Sequence, residues 1–174
     1  AAKPPDHPAP RARPAVVVLP FRIADGGGSE SILAEGIAED LAMELARYHQ
    51  LTVAACKSPA SARAGREDAT AIGRDLDVDY VVDGSLRQFG DRFRTAVQLV
   101  EVGSGHQLWA ERFDRDGAEF LELQDQLVLS IAGTLVGRVQ AAAVSNILRK
   151  PPTSLEAYEC VLRGRNLPLG SIEA

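Results

Sequence analysis

Residues Val18 to Ser29 read VLPFRIADGGGS: an apolar run, three consecutive glycines, then a serine. A strand, a glycine-rich loop and a helix start together make a phosphate cradle, because free backbone N–H groups at a helix start attract anions. The finer spacing argues against that chemistry. A Walker loop needs G-x-x-x-x-G-K-[ST], with a lysine to neutralise phosphate and a hydroxyl for magnesium. No lysine lies between Val16 and Tyr48. A dinucleotide fingerprint needs G-x-G-x-x-G; Gly26 and Gly28 fit its first two positions, but Ser31 occupies the third. Glu30 complements a helix dipole and repels phosphate. The segment reads as a loop, Asp25 to Gly28, followed by an ordinary cap at Ser29.

A second candidate is Asp75-x-Asp77-x-Asp79, which has the alternation of a calcium loop. Such a loop needs glycine at position six and glutamate at position twelve. Tyr80 and Leu86 stand there, so the stretch reads as a solvated helix-to-strand connection. The third candidate is a set of arginines. If Phe89 faces Arg92 across a hairpin, Arg87 and Arg94 lie opposite each other, with Arg112 close by on the next strand. All three then project from the polar face of a sheet. They form either an anion or partner site, or a wet face on which Glu101 or Glu111 relieves the repulsion.

Nucleophilic catalysis finds no G-x-S-x-G elbow, and His7, His49 and His106 form no recognisable constellation. The two cysteines, Cys56 and Cys160, are far apart and lack ligand-spaced histidines. They read as two thiols; a disulfide between them stays open, and with it the redox compartment. No catalytic, cofactor-binding or metal-binding residue is assigned.

The chain as a whole is acidic, with a net charge of −5, which argues against general nucleic-acid binding. Aromatic residues make up only 5%, so stacking platforms for bases are scarce. The most membrane-like run, Leu127 to Val144, is interrupted by Ser130, Thr134, Arg138 and Gln140. It also holds Gly133-x-x-x-Gly137, a spacing that joins helices in lipid. The polar interruptions favour an amphipathic helix packed on a core over direct membrane insertion. The chain begins without Met, shows no signal-peptide pattern, and reads as a piece of a longer protein. The cytoplasm is the expected compartment, with the periplasm open to a parent that carries a spanning helix upstream.

The positioning elements follow from periodicity. Residues Ala1 to Pro14 are proline-rich and read as a linker. Ala15 to Leu19 is a continuous apolar run, the mark of a buried strand, and Pro20 ends it. A helix is expected from Ser29 to Tyr48, with Leu33, Ile37, Leu41 and Leu45 on one face. Leu51 to Ala55 reads as a second strand, reached by a right-handed parallel crossover. A short helical turn from Ser58 to Gly65 and a helix from Asp68 to Leu76 follow. The period then changes to two: Tyr80 to Phe89, Arg92 to Val102 and Gln107 to Phe113 read as antiparallel strands. Gly90-Asp91 marks the first hairpin turn and Gly103-Ser-Gly105 the second. One face carries Val82, Leu86, Phe93, Val97, Leu99, Trp109 and Phe113. A long helix is expected from Glu119 to Leu148 and is stopped by Pro151-Pro152. A last helix, Ser154 to Arg163, has no visible partner. The expected class is α+β: a two-layer sandwich with a mixed sheet of about five strands and helices mainly on one face.

Several stretches together resemble one family. Ala15-Val-Val-Val-Leu-Pro-Phe21 followed by Ala34-Glu-Gly-Ile-Ala-Glu-Asp-Leu41 is similar to its opening. Val81-Val-Asp-Gly-Ser-Leu-Arg87, Thr95-Ala-Val-Gln-Leu99, Leu108-Trp-Ala-Glu-Arg-Phe-Asp114 and Leu123-Gln-Asp125 match later motifs in order. The family is the TolB amino-terminal-like domain of bacterial multidomain regulators, and the likeness covers Ala15 to Val139. It marks Pro20, Phe21, Gly84 and Trp109 as structural positions. It implies a domain over residues 15–149, placed after a class III adenylate/guanylate cyclase or winged-helix domain. It also implies that residues 150–174 begin a tetratricopeptide-repeat region. Gly26 to Gly28 and Ala54-Ala-Cys56 depart from the family pattern. The function expected from this resemblance is a non-catalytic regulatory or interaction domain of a signalling protein. Its partners would be other domains of the parent, other proteins, or a second copy. The resemblance favours a class III adenylate/guanylate cyclase, in cAMP signalling, as the parent; the alternatives are a small-ligand or nucleotide sensor using the glycine loop or the arginines, or the equivalent domain of a winged-helix transcription regulator.

Overall fold

Valine-rich β1 (Ala15–Val18) is buried on both faces, which is why its apolar run is unbroken rather than alternating. A computed structural model describes residues 13–23, 29–56, 69–117 and 124–149. The chain forms two compact units, Ala1–Ala142 and Ala143–Ala174. The first holds the sheet; of the second, residues 143–149 are described, as helix.

β1 pairs in parallel with β4 (Tyr80–Phe89) through Val16↔Tyr80, Val17↔Val81 and Val18↔Val82. The Leu19 amide still donates to the Val82 carbonyl at 2.9 Å. Pro20 has no N–H to continue the ladder. Pairing resumes at β2 (Arg22–Ile23), opposite Ser85 and Leu86. Four residue steps from Val18 to Arg22 thus match three from Val82 to Ser85, which is a bulge. The extra residue resets the alternation. Phe21 and Ile23 join Val16 and Val18 on the face of the larger core, and Arg22 goes to the other face.

Helix α1 (Ser29–Ala46) buries Ala34, Ile37, Ala38, Leu41 and Leu45 against that core. It ends two residues before the expected Tyr48; the amides of Arg47 and Tyr48 close tighter turns onto Glu44 and Leu45. β3 (Thr52–Ala54) pairs in parallel with β1 and is an outer strand. Helix α2 (Ala69–Asp75) lies on the opposite face, where Ala69, Ile72 and Leu76 meet Ala15, Val17, Leu19, Val81 and Val102. β4, β5 (Arg92–Glu101) and β6 (Gln107–Asp116) form the antiparallel half, with Phe89 facing Arg92 as expected. Gly90 turns the hairpin at φ +60°, and Asp91 keeps a negative φ, the pattern of a type II′ turn. Helix α3 (Gln124–Arg149) places Leu127, Ile131, Leu135 and Val139 in the larger core. Its stretch Gln124–Asn146 is long and apolar enough to cross a membrane; of it, Leu127, Ile131, Leu135 and Val139 are buried in the larger core, while Leu129 stays exposed.

The strand order is β3-β1-β4-β5-β6, with β2 beside β4, in a mixed sheet. The two long helices share one face and the short α2 takes the other, giving the expected α+β class. β1 is interior and offers no edge for pairing, whereas β3 and β6 are the outer strands of the order. β6 also runs three residues beyond the expected Phe113.

Candidate functional site on the open face of the sheet

Alternation along β4, β5 and β6 sends one set of side chains under the long helices and the other set to the opposite face. The register arranges the second set in cross-strand rows. Asp83, Gln98 and Ala110 make one row; Ser85, Ala96 and Arg112 the next; Arg87, Arg94 and Asp114 the third; Phe89, Arg92 and Asp116 the last.

Arg87 and Arg94 are directly opposite each other, as the sequence register required. The neighbour of Arg94 on β6 is not Arg112 but Asp114. Arg94 donates from Nε to Asp114 Oδ1 at 2.7 Å and from Nη2 to Oδ2 at 3.1 Å, a two-pronged pair. Its guanidinium also lies 5.3 Å from the centre of the Phe89 ring. The hydrogen bond from Arg94 holds the Asp114 carboxyl below the usual carboxylate range. Partial desolvation opposes this, and the charges of Arg94, Arg112 and Arg92 reinforce it. The same bond raises Arg94.

The repulsion at this row is therefore relieved by Asp114, not by Glu101 or Glu111. Glu101 is bonded by the Ser104 hydroxyl in the turn, and Glu111 pairs across from Val97 on the other face. Arg92 and Asp116 make an outer pair at 3.0 Å between well-exposed side chains, worth little to stability. Arg87 and Arg112 make no hydrogen bond or close ion pair among the described residues, although the charge of Arg112 acts on Asp114 from the adjacent row.

A second polar cluster escaped sequence reasoning. Asp83 is buried, at 7% exposure, and its Oδ2 accepts from Arg22 Nη2 at 2.7 Å and from Gln98 Nε2 at 2.9 Å. Arg22 reaches it only because the Pro20 bulge turns residue 22 to this face. Arg22, Asp83, Ser85, Ala96, Gln98 and Arg112 line a shallow cavity of about 330 Å³. Arg112 thus belongs to this cavity, whereas Arg94 is held in the neighbouring row.

Of the four structural positions, two explain each other. A Cβ on Gly84 would sit 2.6 to 2.7 Å from three ring atoms of Phe21. Only glycine lets the ring lie flat on the strand there. Pro20 supplies the bulge, and Trp109 is buried at 9% across from Leu99. The acidic run behaves as a connection: Asp75 closes α2, Asp77 takes φ +52°, and the Asp79 carboxylate accepts from the Ala15 amide at 2.7 Å. Cys56 is a half-buried free thiol beside the smaller core. The glycine loop at 24–28, the Ser29 side chain, the turn at 58–65, Asp68, Cys160 and the helix expected over 154–163 lie outside the described residues.

The model of the HilA/YgeH-like transcriptional regulator second domain matches residues 12–130. The chain belongs to this family. As a HilA/YgeH-like second domain it is also similar to a curated protein of Rhizobium meliloti (strain 1021) named "Putative adenylate cyclase 3". Identity is 32% over 165 residues, covering 95% of this chain and 28% of that relative. The domain thus spans just over a quarter of the relative's length.

Among solved structures, TolB from Acinetobacter baumannii superposes with a TM-score of 0.55 at 19% identity, over 76% of this chain and 30% of that one. Protein XCC0632 from Xanthomonas campestris gives 0.51 at 11% identity, over 80% and 92%. These two share the fold, and the TolB likeness agrees with the architecture that the sequence motifs implied.

Proposed function

We propose that this domain is a non-catalytic regulatory and protein-interaction module of a larger bacterial signalling protein. The parent's output would be cyclic-nucleotide synthesis by a class III adenylate/guanylate cyclase domain. The observation that carries this reading is the likeness along 95% of the chain to a relative named as an adenylate cyclase. The relative's remaining length leaves room for a separate catalytic domain. On the open face, Arg94 and Asp114 are committed to each other through two hydrogen bonds, which suits a scaffold more than a reaction centre.

The working surface in this reading is β6, ten residues long and at the end of the sheet order. A strand from another domain of the parent, or β6 of a second copy, can add to it by backbone hydrogen bonding. Its charged residues Glu111, Arg112, Asp114, Arg115 and Asp116 keep it from indiscriminate pairing and select a complementary partner. A dimer joined this way suits a cyclase whose active sites form between two subunits. Tetratricopeptide repeats beginning near residue 150 would follow the domain.

The family description, a transcriptional regulator, favours a second reading, in which the same domain serves a regulator whose DNA-binding domain would be the winged helix that the sequence resemblance implies. The deciding experiment uses the full natural protein in cells lacking their own cyclase. Cyclic AMP should form, and deleting residues 15–142 should change its regulation. A parent that makes no cyclic nucleotide and shifts a DNA probe in a gel would replace the first reading with the second. Light scattering of the full chain tests the β6 dimer; a strict monomer at high concentration refutes it.

A further inference from the structure

We propose that the cavity on the open face binds a small phosphate monoester between Arg22 and Arg112. The two arginines occupy the ends of one row that crosses four strands: Arg22↔Ser85, Ser85↔Ala96 and Ala96↔Arg112. The two residues between them are small. A half-wet sheet face ordinarily favours β-branched or aromatic side chains, which would fill this space. Here Ser85, Ala96 and Ala110 leave a dish of about 330 Å³. That volume lies at the lower end of small-molecule sites, which run from roughly 300 to 1,000 Å³.

The donors are prearranged on one side. Buried Asp83 holds Arg22 by one nitrogen, Nη2, at 2.7 Å, and leaves its other N–H groups unspent. Gln98 bonds the same carboxylate oxygen and fixes the floor beside it. Arg112 brings a planar five-donor fork that makes no hydrogen bond among the described residues, its one charged neighbour being Asp114, which Arg94 already holds. The Ser85 hydroxyl lies between them.

The charge balance selects a dianion. On the open face Arg22, Asp83 and Arg112 sum to one positive charge, and Arg87 in the adjacent row makes two; Glu111 also borders the cavity, but the alternation of β6 sends its side chain to the opposite face with Val97. A phosphate monoester carries about −1.5 to −2 at neutral pH. It also presents several oxygens to two guanidinium forks, the geometry at which arginine excels. No aromatic side chain lines the cavity, so recognition rests on the oxyanion and on hydroxyls of the ester, not on base stacking. This concentration of arginine sits on a chain whose overall charge is −5, so attraction is local to the face.

The site does not depend on what the parent protein produces, and its test is separate. The full chain is titrated calorimetrically with ribose 5-phosphate, inorganic phosphate and succinate at matched ionic strength. Ribose 5-phosphate should bind saturably and more tightly than either smaller probe. Arg112→Ala and Arg22→Ala should each weaken it by about 10-fold or more, as loss of a charged hydrogen bond implies. Arg92→Ala, two rows away, should leave it unchanged. Arg112 is exposed, so its variant keeps the fold; circular dichroism checks this for both. Absence of saturable binding to the folded wild type overturns the proposal. So does equal weakening by Arg92→Ala, or binding of succinate or inorganic phosphate as tight as that of the ester.

Discussion

Gly84→Ala tests whether the Phe21 ring and the bare strand at Gly84 are one structural device. The added Cβ would stand 2.6 Å from Cζ and 2.7 Å from both Cε atoms of Phe21. Carbon atoms rest at about 3.5 to 4.0 Å, so the ring must retreat by roughly 1 Å. Phe21 is 6% exposed and packed in the larger core, so a retreat opens its contacts or strains its rotamer. Overpacking of this kind costs about 1–3 kcal/mol. Alanine recovers some backbone entropy over glycine, about 0.5–1 kcal/mol, which lowers the net loss.

Phe21→Ala alone should cost about 3–5 kcal/mol as a large-to-small core change. In that background the clash is absent, and Gly84→Ala should be neutral or slightly stabilising. The two changes are therefore coupled, with the double variant about 1–3 kcal/mol more stable than the sum of the singles predicts. Urea denaturation followed by Trp109 fluorescence and circular dichroism measures all four corners. Trp109 is the only tryptophan, and it is buried. Additive changes, or a Gly84→Ala variant as stable as the parent, would refute the reasoning.

Three further outcomes follow from named contacts. Asp114 is held below the usual carboxylate range by Arg94, so its contribution is present above the ordinary carboxylate pKa and lost as pH falls through its lowered value. Asp114→Asn should therefore be less stable than the parent at neutral pH, with the gap closing in acid; a gap independent of pH contradicts the pairing. Thr95 is fully buried, and its Oγ1 has no hydrogen-bond partner among the described residues, so Thr95→Val should stabilise by about 1 kcal/mol in the same urea assay. Destabilisation there would reveal a partner for the hydroxyl. Gly73 presses α2 onto Val102 and, at 2.8 Å from a would-be Cβ, onto Val81. Gly73→Ala should lose about 1–3 kcal/mol to that clash, more than the roughly 1 kcal/mol that helix propensity returns; a net gain in urea midpoint would show the helix free to lift.

The hairpin half of the sheet was legible because local chemistry and periodicity agree there. Gly90 accepts a positive φ at no steric cost, which fixes the turn, and the turn fixes every row of β4 against β5. Val82, Leu86, Val97, Leu99 and Trp109 then fall on the buried face in register. The far end of β6 was not legible. The stretch Arg112-Phe-Asp-Arg-Asp116 is nearly all charged and carries no period to read. It is a strand because β5 extends to Arg92 and offers backbone partners as far as Asp116. Ending the strand at Phe113 hides Asp114, and without Asp114 the arginines look unrelieved. A charged run beside a long antiparallel strand is better read through its neighbour than through its own composition.

The cavity was harder to see, because it depends on one residue of register. Arg22 and Asp83 are 61 positions apart and meet through parallel pairing across α1, β3 and α2. Without the extra residue at the Pro20 bulge, strict alternation from Val18 would send Arg22 toward the long helices and Phe21 away from them. A charged residue would then enter the larger core, and the ring over Gly84 would have no seat. The proline is marked by the family motif, and so is Phe21, yet neither touches the cavity. They place Arg22 there by shifting its parity, so the packing of the core and the charge of the open face are set by the same insertion. Gly84→Ala and Arg22→Ala should therefore both disturb the cavity, the first through the path of β2 and the second directly. Weakened ester binding in Gly84→Ala at intact Arg22, with the sheet still folded by circular dichroism, is the result this linkage requires. Binding unchanged in a destabilised Gly84→Ala would separate the two faces and leave the bulge a matter of packing alone.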